Sequence, residues 1–272
     1  MKVWVDGQLT ESETARISPF DHGFTVGDGV FETCKVVNGV PFALTRHLQR
    51  LDRSAAGLSL PPADHDLLRR AIAEILVAEP TTGRLRITYT GGVSPLGSDR
   101  GDAGPTLVIA VAPEGQWEKT TAVATVPWPR NERSAVAGLK TTSYAENVVA
   151  LAYAHARGAS EAIFANTVGQ LCEGTGSNLF IVLDGQLLTP PLTSGCLAGV
   201  SRELVLEWTD ASEADLPLSA LAQADEAFLT SSTRDVQAIG VVDGKGLPMA
   251  SGPKTQDVTR VFAQRSAETP DP

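Results

Sequence analysis

The segment Cys172–Phe180 constrains the fold of this chain most strongly, because an acidic residue and a run of small residues lead directly into an apolar stretch. Its glycines begin like a dinucleotide-binding loop, but the third glycine position is occupied by Leu179. A β-strand is predicted after the loop, where that motif requires a helix, so the dinucleotide fold is excluded. Small residues let a backbone approach a flat ligand closely, with Glu173 facing it. A solvated turn acid is the alternative interpretation of Glu173.

Two other segments carry groups that can act together with such an acid. Lys140 follows Gly138-Leu139 and lies between a strand-like segment and a helix-like segment. The run Leu197–Arg202 is typical of a turn that enters a helix, and the N-terminus of a helix binds anions through its amide groups and its dipole. An acid, an amine and an anion site are the groups that pyridoxal phosphate requires from a protein.

The 272-residue chain has 42% apolar and 20% charged residues, which is typical of a globular protein with a large core. Its net charge of −10 disfavours nucleic acid as a partner. No apolar run reaches the roughly 20 residues of a membrane span, and no signal peptide is expected at the N-terminus. Cys34, Cys172 and Cys196 lack metal-ligand spacing, so free thiols, a cytoplasmic location and no metal site are predicted.

Residues 1–114 are predicted to form a small N-terminal domain in which an antiparallel sheet packs on two amphipathic helices, an α+β arrangement. Asn38-Gly39 between two apolar runs is a strong hairpin signal. Thr45 is the predicted N-cap of the first helix. The Gly-rich residues 18–29 and 91–104 are predicted loops.

Residues 115–120 are predicted to be an interdomain linker, and residues 121–272 a larger second domain. A helix is predicted over 145–157, with Val148, Val149, Ala152 and Ala156 on a shared side. The tail after Ser266 is predicted to be frayed, because terminal residues are poorly ordered unless other residues bind them.

Six short motifs follow one another along nearly the whole chain: Gly27–Glu32, His47–Leu51, Lys140 after Gly138-Leu139, Glu173–Phe180, Leu188–Pro191 and Gly199–Arg202. Together they resemble the class IV pyridoxal-phosphate aminotransferases, which have fold type IV. That family includes D-amino-acid aminotransferases, branched-chain aminotransferases, R-selective amine transaminases and aminodeoxychorismate lyases. The resemblance implies an α+β fold with a small N-terminal α/β domain and a larger C-terminal domain with a β-barrel-like core. It also implies a homodimer that holds pyridoxal phosphate between the two domains.

The resemblance implies a role for each matched residue. Lys140 would bind the cofactor as a Schiff base and then move protons as general base and acid. Glu173 would pair with the pyridine nitrogen and keep it protonated, and Arg50 would hold the phosphate with its forked guanidinium. The remaining cofactor contacts would come from small polar and apolar residues: Ser177, Asn178, Leu197, Val200, Ser201, Ser231 and Ser232.

The substrate side departs from the known family patterns. In bacillus-type D-amino-acid aminotransferases a loop arginine and a histidine bind the substrate carboxylate, and the matching positions here hold Leu96 and Ser98. A tyrosine of that group is Phe31 in this chain. Arg100, Arg130 or Arg133 would then bind the carboxylate, although each of them alone has the alternative role of a solvated charge. The predicted substrate-binding residues are Phe31, Thr33, Arg100, Arg130 and Tyr144.

These features predict a transaminase that moves an amino group between an amino acid, of D configuration, and a 2-oxo acid such as 2-oxoglutarate or pyruvate. Thr142-Ser143-Tyr144 stands where branched-chain enzymes have Gly-Gly-Asn-Tyr, which argues against that group. Aminodeoxychorismate lyase, which expels pyruvate and yields p-aminobenzoate, is the alternative because it uses the same cofactor residues. A non-catalytic cofactor-binding protein is a third interpretation, and the intact Lys140 and Glu173 disfavour it.

Overall fold

The computed structural model describes residues 1–272, and the chain divides into two compact units. Unit 1 comprises Met1–Gly115, Leu139–Tyr144 and Pro270–Pro272, and unit 2 comprises Gln116–Gly138 and Ala145–Thr269. The predicted division into domains stays a prediction. The compact units differ from it at the two short segments that belong to unit 1, and at the predicted linker, of which Gly115 lies in unit 1 and residues 116–120 in unit 2.

Unit 1 is a six-stranded antiparallel sheet that shares one apolar core with two long helices. The strand order is β2-β1-β6-β5-β3-β4. The strands are β1 (Lys2–Val5), β2 (Gln8–Glu11), β3 (Gly29–Val37), β4 (Val40–Pro41), β5 (Arg84–Thr90) and β6 (Thr106–Ala112), and the helices are α1 (His22–Thr25), α2 (Leu44–Gly57) and α3 (His65–Ala78).

Successive side chains of β5 alternate between the two faces of this sheet. Leu85, Ile87 and Tyr89 are buried with apolar residues of α2 and α3, whereas Arg84 and Arg86 lie on the opposite face. Strands β3 and β5 pair antiparallel, and their register places Thr33 opposite Arg86. The predicted α+β arrangement is therefore confirmed in unit 1, with one face of the sheet in the core and the other open for side chains of mixed polarity.

The segment Leu139–Tyr144 belongs to unit 1 because it bonds to the start of β3. The N–H of Phe31 donates to the carbonyl oxygen of Lys140 at 3.0 Å. The N–H of Thr142 donates to the carbonyl oxygen of Gly29 at 2.8 Å. An isolated antiparallel bridge between Val30 and Thr141, together with these bonds, therefore fixes the backbone next to Lys140.

Two local predictions in unit 1 are wrong. Residues 18–29 are not entirely loop, because the Asp21 side chain accepts the N–H of Gly23 at 2.8 Å and caps the short helix α1. Thr45 is not the N-cap of α2. The N-cap is Ala43, which has a left-handed backbone (φ 54°) and makes no side-chain capping bond.

The C-terminal tail supplies the missing cap, so the prediction that it is frayed is also wrong. Asp271 accepts the N–H of Thr45 at 2.8 Å and its hydroxyl at 2.6 Å. The carbonyl oxygen of Pro270 accepts the N–H of Ala43 at 2.7 Å. Residues at the end of the chain thus satisfy amide groups at the start of α2 that the local sequence leaves without partners.

Asp271→Ala is expected to lower the free energy of unfolding by about 1 kcal/mol, because it removes the acceptor of two helix-start donors. Urea unfolding followed by circular dichroism measures this change. Asp99→Ala is the matched control, since Asp99 is exposed and no hydrogen bond involves its side chain. Equal stability of the two variants would show that the tail does not stabilise α2.

Unit 2 is a nine-stranded mixed sheet with four helices, in the order β12-β11-β10-β13-β14-β7-β8-β9, with β15 paired to β14. Only residues 175–177 join the end strand β9 to β10, so the sheet must curl back on itself. The strands are β7 (Thr120–Thr125), β8 (Glu161–Ala165), β9 (Leu171–Gly174), β10 (Asn178–Leu183), β11 (Gln186–Thr189), β12 (Ser212–Glu213), β13 (Glu226–Ser231), β14 (Asp235–Val242) and β15 (Lys245–Gly246), and the helices are α4 (Ala145–His155), α5 (Val200–Trp208), α6 (Ala220–Gln223) and α7 (Pro253–Glu268). None of the helices in the chain has the length and apolar character needed to cross a membrane.

The side of α4 that faces the core differs from the predicted one. The helix buries Asn147, Ala150 and Ala154, whereas Val148 and Val149 are 65% and 54% exposed. The two alanines pack in a cluster with residues of β7 and β8. Small side chains allow a helix to approach a sheet closely, and this outweighs the larger apolar area of the valines.

Candidate active site

Unit 1 presents the amine of Lys140 against two aromatic rings. Its Nζ lies 4.2 Å from the centre of the Phe31 ring and 5.9 Å from the centre of the Tyr144 ring. The two rings meet edge to face with 5.1 Å between their centres. The N–H of Lys140 donates to Ser54 Oγ at 3.1 Å, which ties the segment to α2. Three predicted site residues, the lysine and the two aromatics, are therefore neighbours in unit 1.

Arg50 is buried in α2, where Glu32 of β3 fixes its orientation. Arg50 Nε and Nη2 donate to the two carboxylate oxygens of Glu32 at 2.8 and 2.7 Å. His47 Nδ1 lies 2.6 Å from the same carboxylate. Burial alone would raise the pKa of Glu32, but Arg50 and His47 hold that pKa well below its usual range. Burial lowers the pKa of His47, so a neutral ring that donates its Nδ1–H fits this contact.

Glu32→Gln is expected to lower the free energy of unfolding by about 3 kcal/mol or more at neutral pH, because it leaves the buried Arg50 without a counter-charge. The depressed pKa of Glu32 means that its ionised form stabilises the fold above the pKa of an unfolded glutamate, near 4.3, and that this contribution is lost as pH falls. The stability gap between wild type and variant should therefore shrink below about pH 4.

Urea unfolding at a series of pH values from neutral to acid tests this expectation. Glu74→Gln is the control, since Glu74 is exposed on α3 and has no ion pair or hydrogen bond through its side chain. A gap of the same size for both variants, or one that does not change with pH, would contradict the assigned role of Glu32.

Arg100 is engaged in structural contacts within unit 1. Its Nε and Nη2 donate to the carboxylate of Asp28 at 2.7 and 2.5 Å. It also donates to the carbonyl oxygens of Leu58 and Ser59 at 2.6 and 2.9 Å. The hydrogen bond from Arg100 lowers the pKa of Asp28. These four bonds occupy most of the five donors of the guanidinium, which disfavours Arg100 as the group that binds a substrate carboxylate.

In unit 2, Glu173 lies in β9 and is not a solvated turn acid. Its side chain is 13% exposed, and its Oε2 accepts the N–H of Leu197 at 2.9 Å. The carbonyl oxygen of Leu197 accepts the side-chain N–H of Asn178 at 2.8 Å. One peptide segment therefore connects three of the predicted cofactor residues by hydrogen bonds.

Helix α5 begins directly after this segment. Its N-cap is Gly199, no side chain caps it, and Val200 and Ser201 in its first turn are buried. A Cβ atom at Gly199 would lie 1.9 Å from Asn178 Oδ1, so only glycine allows this close approach. A helix start without a side-chain cap presents amide groups that can bind an anion.

Arg130 contacts the same acid. Its Nε lies 3.4 Å from Glu173 Oε1, an ion pair without hydrogen-bond geometry. Its other nitrogens donate to Glu146 at 2.5 Å and to Asn147 at 2.9 Å, and its guanidinium lies 4.2 Å from the centre of the Phe164 ring. These contacts favour a role in positioning Glu173 over the predicted role of binding substrate.

A buried acid that the sequence reasoning missed, Glu161 of β8, holds the turn after Glu173. Ser177 Oγ donates to Glu161 at 3.0 Å, and Arg234 Nη2 donates to the same oxygen at 3.2 Å. The hydroxyl of Ser177 is thus used within the protein. Ser231 accepts the N–H of Arg234 at 3.2 Å, and Ser232 follows it in the turn after β13.

Comparison with known proteins identifies the family. The family model "Amino-transferase class IV" matches residues 29–242 of the chain. This chain belongs to the class IV aminotransferases. The match includes Lys140, Glu173 and every predicted cofactor residue.

Relatives of this class IV aminotransferase have more than one named activity. A D-alanine aminotransferase of Listeria monocytogenes is 31% identical, and the alignment covers 97% of this chain and 96% of the relative. An aminodeoxychorismate lyase of Bacillus subtilis is 29% identical over 96% of this chain and 93% of the relative. The family is therefore established, and its members differ in substrate.

Solved structures of class IV aminotransferases share the fold of this chain. The branched-chain aminotransferase of Thermoproteus uzoniensis with norvaline has a TM-score of 0.87 at 32% identity, covering 97% of this chain and 94% of that one. A hypothetical aminotransferase of Mycobacterium tuberculosis, in its alpha-ketoglutarate and PMP bound form, has a TM-score of 0.86 at 28% identity, covering 97% and 98%. The predicted fold type IV is confirmed.

Proposed function

We propose that this protein is a pyridoxal-phosphate-dependent transaminase that moves an amino group between an amino acid, of D configuration, and a 2-oxo acid such as 2-oxoglutarate or pyruvate. The observation that carries the proposal is the acid Glu173, bonded to Leu197 just before an uncapped helix start. A protonated ring nitrogen needs such an acid, and a phosphate needs such a helix start. Membership of the class IV family and a relative solved with PMP support the same cofactor.

The residues present fit this cofactor. No side chain caps the start of α5, so the N–H groups of Val200 and Ser201 can bind phosphate oxygens. Arg50 supplies a guanidinium whose direction Glu32 fixes. When bound, pyridoxal phosphate supplies an electron-withdrawing ring that stabilises the charge left when a proton leaves the substrate.

Two residues of the chain perform the proton chemistry. Lys140 would hold the cofactor and then move a proton at its Nζ, and the bonds of its backbone to Phe31 and Ser54 fix the segment from which the side chain extends. Glu173 would accept the N–H of the ring, while Leu197 and Arg130 keep its carboxylate in place.

Within the proposed transaminase function, the D configuration of the amino-acid substrate is a separate and more specific proposal. The Listeria relative named for D-alanine and the replacement of the branched-chain motif by Thr142-Ser143-Tyr144 favour it. Aminodeoxychorismate lyase is the second candidate, favoured by the Bacillus subtilis relative. Homodimer assembly and a cytoplasmic location stay predictions from the sequence and the family resemblance.

Half-reactions of the purified holoenzyme test the proposal. D-alanine and D-glutamate are each expected to bleach the visible absorbance band of the bound cofactor and to yield pyruvate and 2-oxoglutarate. L-leucine is the control for configuration and should leave the band unchanged. Bleaching by L-leucine alone would contradict the D configuration. No bleaching by any of the three, together with pyruvate release from aminodeoxychorismate, would establish the lyase instead.

A further inference from the structure

Arg86 of β5 is an arginine without an acidic partner in a chain where other arginines near the site have one. Its side chain is exposed on the face of the sheet opposite the helices, and it makes no hydrogen bond or ion pair. Its guanidinium lies 3.7 Å from the centre of the Phe31 ring. Although the side chain is open to solvent, the surrounding protein partly desolvates the guanidinium and lowers the pKa of Arg86. An anion arriving here would therefore meet a cation that no protein carboxylate neutralises.

The amine of Lys140 lies against the same aromatic ring, that of Phe31. The two cations lie within about 8 Å of each other, since the centre of the Phe31 ring is 3.7 Å from Arg86 Cζ and 4.2 Å from Lys140 Nζ. Thr33 lies opposite Arg86 in the register of β3 and β5 and is half-buried. Phe31, Thr33 and Arg86 thus line one face of the sheet, with Lys140 at its end.

This spacing suits a 2-amino acid. The carboxylate carbon of an amino acid lies about 2.5 Å from its amino nitrogen. A forked arginine–carboxylate pair with N···O distances of about 2.8 Å brings the two central carbons to about 4 Å. Together these two lengths span about 6.5 Å, which falls inside the limit of about 8 Å between Arg86 and Lys140 Nζ, so a substrate whose amino group took the place of that nitrogen could extend its carboxylate toward the guanidinium of Arg86.

We propose that Arg86 binds the carboxylate of the amino-acid substrate and so selects 2-amino acids over simple amines, an inference that rests on the proposed transaminase function. Two other candidate arginines are occupied: Arg100 by Asp28 and two carbonyl oxygens, and Arg130 by Glu146, Asn147 and Glu173. The third, Arg133, is 81% exposed and lies 3.6 Å from Glu132. Phe31 holds the Arg86 guanidinium through its ring face, which leaves the donors at the edge of the guanidinium available to a carboxylate.

Two substrates that differ only at the carboxylate test this inference. Isopropylamine is alanine with a methyl group in place of the carboxylate. In the half-reaction, Arg86→Gln is expected to weaken the apparent affinity for D-alanine by about 30- to 100-fold. The same variant should change the rate with isopropylamine by less than about threefold, because an amine without a carboxylate does not need Arg86. Arg86→Lys should retain part of the preference, since it keeps the charge but loses the fork.

Arg84→Gln is the matched control, because Arg84 is exposed on the same face of the same strand. It should react with D-alanine as the wild type does. Melting temperature and cofactor content are expected to be unchanged in both variants, since neither arginine has a hydrogen-bond or ion-pair partner. Equal losses for D-alanine in Arg84→Gln and Arg86→Gln, or no loss in Arg86→Gln, would overturn the assignment.

Calorimetric titration with propionate, an unreactive carboxylate, separates this inference from the proposed function. Propionate is expected to bind the wild-type holoenzyme and the Arg84→Gln variant, and to bind Arg86→Gln at least tenfold more weakly. Equal binding to all three proteins would remove Arg86 as the carboxylate site even if amino acids react. Absence of any reaction of the wild type with amino acids would refute the transaminase proposal, whatever the propionate titration shows.

Discussion

Lys140→Ala is expected to lower kcat for transamination by more than about 10⁴-fold, because it removes both the covalent attachment point and the group that moves the proton. Single-turnover kinetics with D-alanine measure this loss directly. Cofactor binding should weaken but persist, because Glu173 and the start of α5 do not depend on the amine. The rings of Phe31 and Tyr144 lose a cation and keep their own contact, so the fold should remain intact.

Lys245→Ala is the control for this variant, since Lys245 is an exposed lysine in the short strand β15. It should be fully active. Retained turnover in Lys140→Ala would show that a different lysine performs the chemistry and would contradict the proposed role of the Gly138-Leu139-Lys140 motif.

Glu173→Gln is expected to lower kcat by about 10²- to 10³-fold, because glutamine keeps the shape but cannot hold a proton on the ring nitrogen through charge. The effect should fall on kcat rather than on the affinity for D-alanine, since Glu173 is proposed to act through the cofactor. The bound-cofactor absorbance band should also shift, which gives a readout independent of turnover.

Glu146→Gln is the control that tests whether the loss of any acid beside Arg130 lowers kcat, or only the loss of Glu173. Both acids contact Arg130, and Glu146 is 49% exposed. Glu146→Gln should change kcat by less than about threefold, because exposed ion pairs contribute little. Similar losses in the two variants would indicate that Arg130, rather than the acid of β9, is the group that matters.

The grouping of Glu173, Leu197 and Asn178 was predictable because these residues lie in short motifs, and their roles toward the cofactor stay predictions. Glu173, Leu197 and Val200 could be selected from the sequence, since each belongs to a run of small residues next to a strand or helix. Glu32 was missed although the pattern of β3 carries a signal. It falls between Val30 and Cys34 on the face that is otherwise apolar. An acid at such a position requires a buried positive partner, and Arg50 is that partner.

The substrate side was less predictable because a lone arginine looks the same in the sequence whether it is paired or not. Arg100 and Arg130 were chosen for their place in the chain, and the structure shows both engaged by acids. The sequence does not single out Arg86, because it alternates with apolar residues along β5 as a solvated strand residue does. Only the register of β3 and β5 and the position of Phe31 reveal its surroundings.

Long-range contacts explain the wrong local predictions. Thr45 has the side chain of an N-cap, but Asp271 near the other end of the chain takes that role. No local pattern predicts a contact between residues so far apart. The same limit applies to α4, where packing against β7 and β8 selects alanines over valines.

The central claim is that Lys140 carries pyridoxal phosphate, and a covalent trap tests it most directly. The holoenzyme is reduced with borohydride, digested and sequenced by mass spectrometry. We expect a phosphopyridoxyl group on the peptide that contains Lys140, and none after prior reaction with D-alanine. A tag on any other lysine, or no tag in a protein that binds the cofactor, would contradict it.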